Sequence, residues 1–201
     1  MRVSALLAAL AAAAVPALAI AADYQPETST AVSTAPGKGR MVTVVTATAT
    51  VESVDPATRT VVLKTPDGKT HPTVAGDEVR NFDQIKVGDQ VKAKYMESLT
   101  LELKKGGKAL VGRSDNASMD RAPQGGKPGG VALREVSMTA DVVGVDAQKK
   151  IVSIRNDRGE VIDLHLNDPE QVKLVKTGDQ VEATYTEALA VALEPAAPAK
   201  K

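Results

Sequence analysis

The sequence contains no cysteine, no tryptophan and few other aromatic residues. Without cysteine the chain has no disulfide, no thiolate metal site, no cysteine nucleophile and no lipid-acceptor cysteine. Aromatic residues make up 2% of the chain, so the stacking platforms that bind single-stranded nucleic acid are missing. Basic and acidic residues both number 25, which leaves no cationic excess to neutralise phosphates. These absences argue against nucleic acid as a partner.

The one long apolar run of the sequence lies at its N-terminus. Arg2 precedes the apolar residues 5–14, and Pro16 and a stretch of small residues follow. This order is typical of a secretory signal peptide, which we place at residues 1–22. No other apolar run is long enough to span a bilayer as a helix. The sequence therefore predicts an exported protein, periplasmic or secreted, that does not span the membrane.

The chain contains nearly the same unit twice, because residues 46–103 recur as residues 137–193. The segments outside the two units are rich in proline, glycine, serine and threonine, which predicts flexibility. We expect the signal peptide at 1–22, a flexible N-terminal tether at 23–40, the first repeat at 41–104, a linker at 105–130, the second repeat at 131–194 and a tail at 195–201. Each repeat is small enough that its core is marginal alone.

Hydrophobic residues alternate with a period of two in each repeat, which predicts β-strands. Glycine-containing hairpin turns are expected at 66–68 and 157–159, and short helical turns at 81–86 and 169–173. The run that follows each helical turn is interpreted as a final pair of strands. The order β-β-β-α-β-β predicts a mainly β protein with two tandem, small OB-like β-barrels joined by a flexible linker. Half of a β-sandwich is the alternative.

Two phrases of the sequence resemble a known group of proteins. Residues 81–91 read NFDQIKVGDQV, and residues 175–189 read VKTGDQVEATYTEAL. They look like segments of a widespread group of exported bacterial tandem-repeat proteins of unknown function. The resemblance implies a location in the cell envelope and implies no activity.

A looser similarity is to small periplasmic copper-binding OB-fold proteins that serve metal efflux. It is carried by residues 54–63 and 86–91. The resemblance implies Cu(I) held by a histidine, a stacked tryptophan and a Met-x-Met pair. His71 lies in the corresponding region, but the sequence has no tryptophan and no Met-x-Met follows His71. The resemblance therefore extends to the fold and not to the ligand set.

The sharpest anomaly of the alternating pattern is a Tyr-x-Glu sequence in each repeat. Glu97 and Glu187 fall on the apolar side of their strands, two residues after Tyr95 and Tyr185. Burying an ionised carboxylate there costs free energy unless it pairs with a lysine or arginine or its pKa is raised. The alternative is a strand bulge that turns the carboxylate outward. These four residues are the candidates for binding a ligand or a partner.

The candidate metal ligands are His71 and Met96, with copper as the possible cofactor, because imidazole and thioether groups suit copper. His71 and His165 do not occupy matching positions in the two repeats, so an ordinary strand or surface role is the alternative for both. No catalytic motif is present, and we expect no enzymatic activity. The sequence favours a non-enzymatic periplasmic binding or adaptor module for an envelope protein, with a periplasmic copper-binding accessory protein as the alternative.

Overall fold

A computed structural model describes residues 24–196. The described chain forms one 10-stranded sheet in which all pairings are antiparallel. The strands are β1 Glu27–Ala35, β2 Lys38–Asp55, β3 Thr60–Lys64, β4 Thr70–Val74, β5 Gln90–Lys104, β6 Gly112–Arg121, β7 Gly129–Asp146, β8 Ile151–Arg155, β9 Val161–His165 and β10 Gln180–Glu194. A 3-10 turn spans Phe82–Gln84, and helix α1 spans Pro169–Leu174. No helix of this part of the chain is long and apolar enough to cross a membrane.

The sheet has a central region and two outer ends. In the central sheet the strands lie in the order β1, β2, β5, β10, β7 and β6. The far ends of β2 and β7 continue beyond it and pair with β3 and β8, which pair in turn with β4 and β9. A register shift between Val51 and Ser53 marks the change of partner in β2, and a matching shift lies between Val142 and Gly144 in β7.

The prediction of a mainly β protein with a helical turn in each repeat is confirmed. The structure does not show two closed barrels, because the described sheet is open. The run expected as a final pair of strands is a single strand of 15 residues in each repeat, β5 and β10. These two strands pair with each other along their whole length instead of turning back to close a barrel.

The segments expected as a flexible tether and a flexible linker both contain strands. β1 lies within residues 23–40, and β6 lies within residues 105–130. Each forms a hairpin with the long strand that follows it. Their side chains are almost all exposed, so an apolar pattern gives no signal for them. The signal peptide predicted at 1–22 and most of the tail at 195–201 lie outside the described residues.

The pairing of β5 with β10 relates the two repeats by an approximate twofold axis. Both strands begin at the equivalent residues Gln90 and Gln180 and run in opposite directions. The register places Glu97 directly opposite Glu187, its own equivalent in the other repeat. The twofold axis therefore passes between these two glutamates, and we call equivalent residues of the two repeats counterparts.

Each repeat takes part of its hydrophobic core from the other. The first core contains Val51, Val61 and Phe82 of the first repeat together with Leu193 of the second, which is 8% exposed. Leu103, the counterpart of Leu193, packs with Leu101 against the core of the second repeat, which is formed by Ala140, Val142, Val152, Ile154 and Val181. Full burial of a leucine side chain contributes about 1.5–3 kcal/mol. Neither core is complete without the other repeat.

A side-chain amide of each repeat binds a hairpin loop of the other repeat. These loops connect β1 to β2 and β6 to β7. Gln171 donates from Nε2 to the carbonyl of Ala35 at 3.1 Å and accepts at Oε1 from the N–H of Gly37 at 2.9 Å. Its counterpart Asn81 binds a carbonyl and an N–H of the loop 122–128 in the same way, at 2.8 Å and 3.0 Å. These two contacts, which we call the amide clamps, tie β1 and β6 to the rest of the structure.

The Gly-Asp turns before β5 and β10 each contain a buried aspartate that forms hydrogen bonds. Asp89 and Asp179 are 3% and 6% exposed. Each carboxylate accepts a hydrogen bond from the N–H three residues earlier, at 3.0 Å and 2.9 Å. These bonds close the turns in the manner usual for aspartate.

Groups from outside each turn complete the binding of the two carboxylates. Asp179 accepts from the N–H of Gly106 at 2.9 Å and from Nζ of Lys105 at 3.0 Å, both just after β5 of the first repeat. Asp89 accepts from Nζ of Lys127 at 2.5 Å and from the N–H of Ala196, the counterpart of Gly106. Burial opposes ionisation of both carboxyls, but these hydrogen bonds outweigh it and hold both pKa values below the ordinary range.

This arrangement gives the fold an acid-sensitive contact. A carboxyl with a lowered pKa stabilises the folded state above its unfolded pKa, about 3.9, and that contribution is lost as the pH falls through the folded value. We expect urea unfolding to show a steep loss of stability below about pH 4. Asp89→Asn with Asp179→Asn should cost about 1–3 kcal/mol per site at neutral pH and flatten this pH dependence.

The matched control is Asp83→Asn, because Asp83 is exposed in the 3-10 turn close to Asp89. It should leave both the free energy of unfolding and its pH profile unchanged. A double Asp89, Asp179 variant with the same acid profile as the unmodified chain would contradict the account.

Candidate functional site

The two Tyr-x-Glu sequences meet at the approximate twofold axis. Side chains six residues apart on a strand share a face, so Glu97 lies on the same face as Val91 and Leu103. Val91 packs against one core and Leu103 against the other, so this is the core face of the sheet. Tyr95, Tyr185 and Glu187 share that face by the same spacing and register. All four side chains are half-buried, midway between the two cores.

The alternative prediction, a strand bulge at these glutamates, is wrong. The register of β5 with β10 runs without interruption from Gln90 to Lys104. The bulges of the sheet lie instead at the bends of β2 and β7. The carboxylates therefore stay on the core face, where the alternating pattern placed them.

The tyrosine hydroxyls are the hydrogen-bond donors of this cluster. The hydroxyl of Tyr95 donates to Oε1 of Glu187 across the axis at 2.8 Å and lies 3.4 Å from Oε2 of Glu97. The hydroxyl of Tyr185 lies 3.4 Å from Oε2 of Glu97. The first distance is that of a strong hydrogen bond to a carboxylate and the others are long, so the cluster is not fully symmetric.

Both phenols are held in their protonated form. Burial raises the pKa of Tyr95 well above its ordinary value, and the hydrogen bond to Glu187 raises it further. Burial also raises the pKa of Tyr185, where the nearby hydroxyl of Tyr95 opposes the effect and the neighbouring glutamates add to it. At neutral pH both tyrosine hydroxyls therefore act as hydrogen-bond donors.

The glutamate pair lacks the cation that a second pair on the same strands has. Glu102 and Glu182 also face each other across β5 and β10. Nζ of Lys104 lies 2.8 Å from Glu102 and 3.3 Å from Glu182, so that one lysine bridges two like charges. Among residues 24–196, no lysine, arginine or histidine forms a salt bridge with Glu97 or Glu187.

The neighbours on either side of the pair differ between the repeats. Thr43 on β2 lies beside Glu97, and its counterpart Arg134 on β7 lies beside Glu187. The guanidinium of Arg134 is engaged by Asp115 of β6, with distances of 2.7 Å and 3.0 Å. Arg134 therefore pairs with Asp115, which raises the pKa of the guanidinium, and the charge of Glu187 raises it further. The role of Arg134 and Asp115 was missed from the sequence because β6 was not expected.

The structure does not bring the two candidate metal ligands together. His71 pairs with Leu63, which pairs with Val51, so His71 lies on the core face. Met96 follows Tyr95 directly and lies on the opposite face. Nε2 of His71 is buried without a hydrogen-bond partner. His165 is exposed on β9.

The described part of the chain contains no group of three or more histidine, cysteine, aspartate or glutamate side chains placed to hold a metal ion. A groove of about 620 Å³ lies beside the loop 122–128 and the ends of β7 and β10. None of the six candidate residues lines this groove. The Tyr-x-Glu cluster is therefore not part of that groove.

No protein-family model, no curated protein and no solved structure matches this chain. The resemblances to exported tandem-repeat proteins and to periplasmic copper-binding OB-fold proteins therefore stay predictions.

The asymmetry of the cluster gives a direct test of its hydrogen bonds. Tyr95→Phe removes the 2.8 Å bond to Glu187, whereas Tyr185→Phe removes only a long contact. We expect Tyr95→Phe to lower the free energy of unfolding by about 1–3 kcal/mol, because it leaves a half-buried carboxylate without its donor. Tyr185→Phe should cost clearly less. Equal losses in urea unfolding at neutral pH would contradict the described geometry.

Proposed function

We propose that this protein is a non-enzymatic binding or adaptor module of the cell envelope, and that Glu97 and Glu187 bind a basic side chain of a protein partner. The observation that carries the proposal is the pair of carboxylates that face each other on the sheet and form no salt bridge within residues 24–196. The two tyrosine hydroxyls contact one oxygen of each carboxylate, Oε1 of Glu187 and Oε2 of Glu97. Within residues 24–196 the other two oxygens have no hydrogen-bond donor, and we propose that they accept from a partner.

The physical reason for a cationic partner is the cost of the pair as it stands. Like charges directly opposite each other on adjacent strands destabilise a sheet, whereas opposite charges in that position stabilise it by about 0.2–1 kcal/mol. The chain removes that cost at Glu102 and Glu182 with Lys104. A lysine or arginine from a partner would do the same at Glu97 and Glu187, and the half-buried setting strengthens such a pair relative to a fully exposed one.

The exported location and the OB-type comparison belong to this proposal as well. The predicted signal peptide supports an envelope location. We propose an OB-like arrangement only for each outer end of the sheet. There β3 and β4, or β8 and β9, pack over a core next to a short helical turn. A copper-binding role for His71 and Met96 stays a prediction, and their positions on opposite faces do not favour it.

The test uses a peptide of alternating lysine and threonine, titrated into the purified chain by isothermal calorimetry. We expect binding that weakens with added salt, because the contact is electrostatic. Glu97→Gln with Glu187→Gln should abolish it while leaving the fold intact, since glutamine still accepts from the tyrosines. A peptide of the same length that alternates glutamate and threonine should not bind.

The matched control is Glu102→Gln with Glu182→Gln, which removes the other glutamate pair of the same two strands. Its affinity for the basic peptide should equal that of the unmodified chain. If the basic peptide does not bind, or binds both double variants equally well, the proposed site is wrong.

A further inference from the structure

The first strand of the structure, β1, has one edge that pairs with no other strand of residues 24–196. β1 pairs with β2 along its whole length on one side. All nine of its residues are exposed, and Val32 is 69% exposed. Its free edge presents a row of backbone N–H and C=O groups, which is a template for pairing with another strand.

The two outer strands of the central sheet differ in how they are protected. The approximate twofold axis relates β6 to β1, so the two strands occupy equivalent edges of the central sheet. β6 has charged residues near both of its ends: Arg113, Asp115, Asp120 and Arg121. Charged side chains on an edge strand oppose pairing with another chain. β1 has a single charged residue, Glu27, at its first position, and neither lysine nor proline. One edge of the sheet is therefore protected and the other is open.

The sequence of β1 is complementary to itself in the antiparallel direction. If two copies of β1 pair about Ala31, Thr28 lies opposite Thr34 and Ser29 opposite Ser33. Thr30 then lies opposite Val32, and no charges oppose each other. Cross-strand pairs of threonine and serine are favourable in antiparallel sheets, and Thr30 already contacts Thr43 of β2 in such a pair at 3.2 Å.

β1 is also held in an extended shape before any partner binds. Gln171 clamps the turn between β1 and β2 through Ala35 and Gly37. The carbonyl of Gly37 also accepts from the N–H of Leu103 on β5. A strand that is ordered in advance loses less conformational entropy on pairing.

We propose that β1 pairs with β1 of a second copy of this chain, antiparallel about Ala31, to form a symmetric dimer. The pairing joins two central sheets edge to edge through a twofold axis. Residues that oppose each other in an antiparallel pair lie on the same face, so the core faces of both copies form one continuous surface. The dimer is independent of the proposed binding of basic groups at Glu97 and Glu187, which lie on β5 and β10.

The test is the mass of the purified chain by light scattering and sedimentation over a range of concentrations. We expect a concentration-dependent dimer of twice the 20.9 kDa chain mass, with the predicted signal peptide subtracted if it is cleaved. Ala31→Lys or Ala31→Glu should each weaken the dimer about fivefold or more, because like charges then oppose each other at the axis. An equal mixture of the two variants should dimerise again, because lysine opposes glutamate.

Ser118→Lys is the matched control, since Ser118 of β6 stands where Ala31 stands in β1, and it should leave the dimer intact. Circular dichroism of all variants checks that the exposed substitutions do not unfold the chain. A chain that stays monomeric at every concentration overturns the proposal, including the case in which β1 instead binds an extended peptide of another protein. A dimer that survives Ala31→Lys, or one whose charge variants do not restore each other, also overturns it.

Discussion

The antiparallel pairing of β5 with β10 is the contact on which the other features of the structure depend. It joins the two repeats along 15 residue positions of each strand and fixes their relation as a twofold axis. Because the strands run past each other, the end of β10 reaches the core of the first repeat and the end of β5 reaches the core of the second. The same register brings Glu97 and Glu187 face to face. A shift by one residue would turn every side chain of one strand to the opposite face and break both cores.

Reciprocal contacts explain how two small units form one stable sheet. A repeat of roughly 65 residues buries a modest fraction of its surface and is marginal alone. Here each repeat supplies the other with apolar side chains, an amide clamp and backbone donors to a buried aspartate. The repeats differ at two places: Thr43 stands beside the glutamates where the other repeat has Arg134, and β1 has one charged residue where β6 has four. Both differences fall at the surfaces for which we propose partners.

The sequence predicted the local structure well and the long-range pairing poorly. Alternation with a period of two identified the strands and placed Glu97 and Glu187 on the core face, and the glycine turns gave the hairpins. Alternation does not reveal which strand a run pairs with, so β5 was expected to fold back within its own repeat. β1 and β6 gave no apolar signal because they are exposed, and backbone hydrogen bonds with the amide clamps hold them in place. Arg134 and Asp115 were missed for the same reason.

Disulfide cross-linking tests the pairing of β5 with β10 most directly, and the absence of native cysteine makes it free of background. Ser98 lies directly opposite Thr186, whereas Thr184 lies opposite Thr100. Ser98→Cys with Thr186→Cys should form an intramolecular disulfide under mild oxidation, seen as a faster-migrating band on a denaturing gel. Ser98→Cys with Thr184→Cys should not, because diagonal neighbours lie about 7–8 Å apart, beyond ordinary disulfide geometry. Cross-linking of the diagonal pair instead, or of neither pair, would contradict the account.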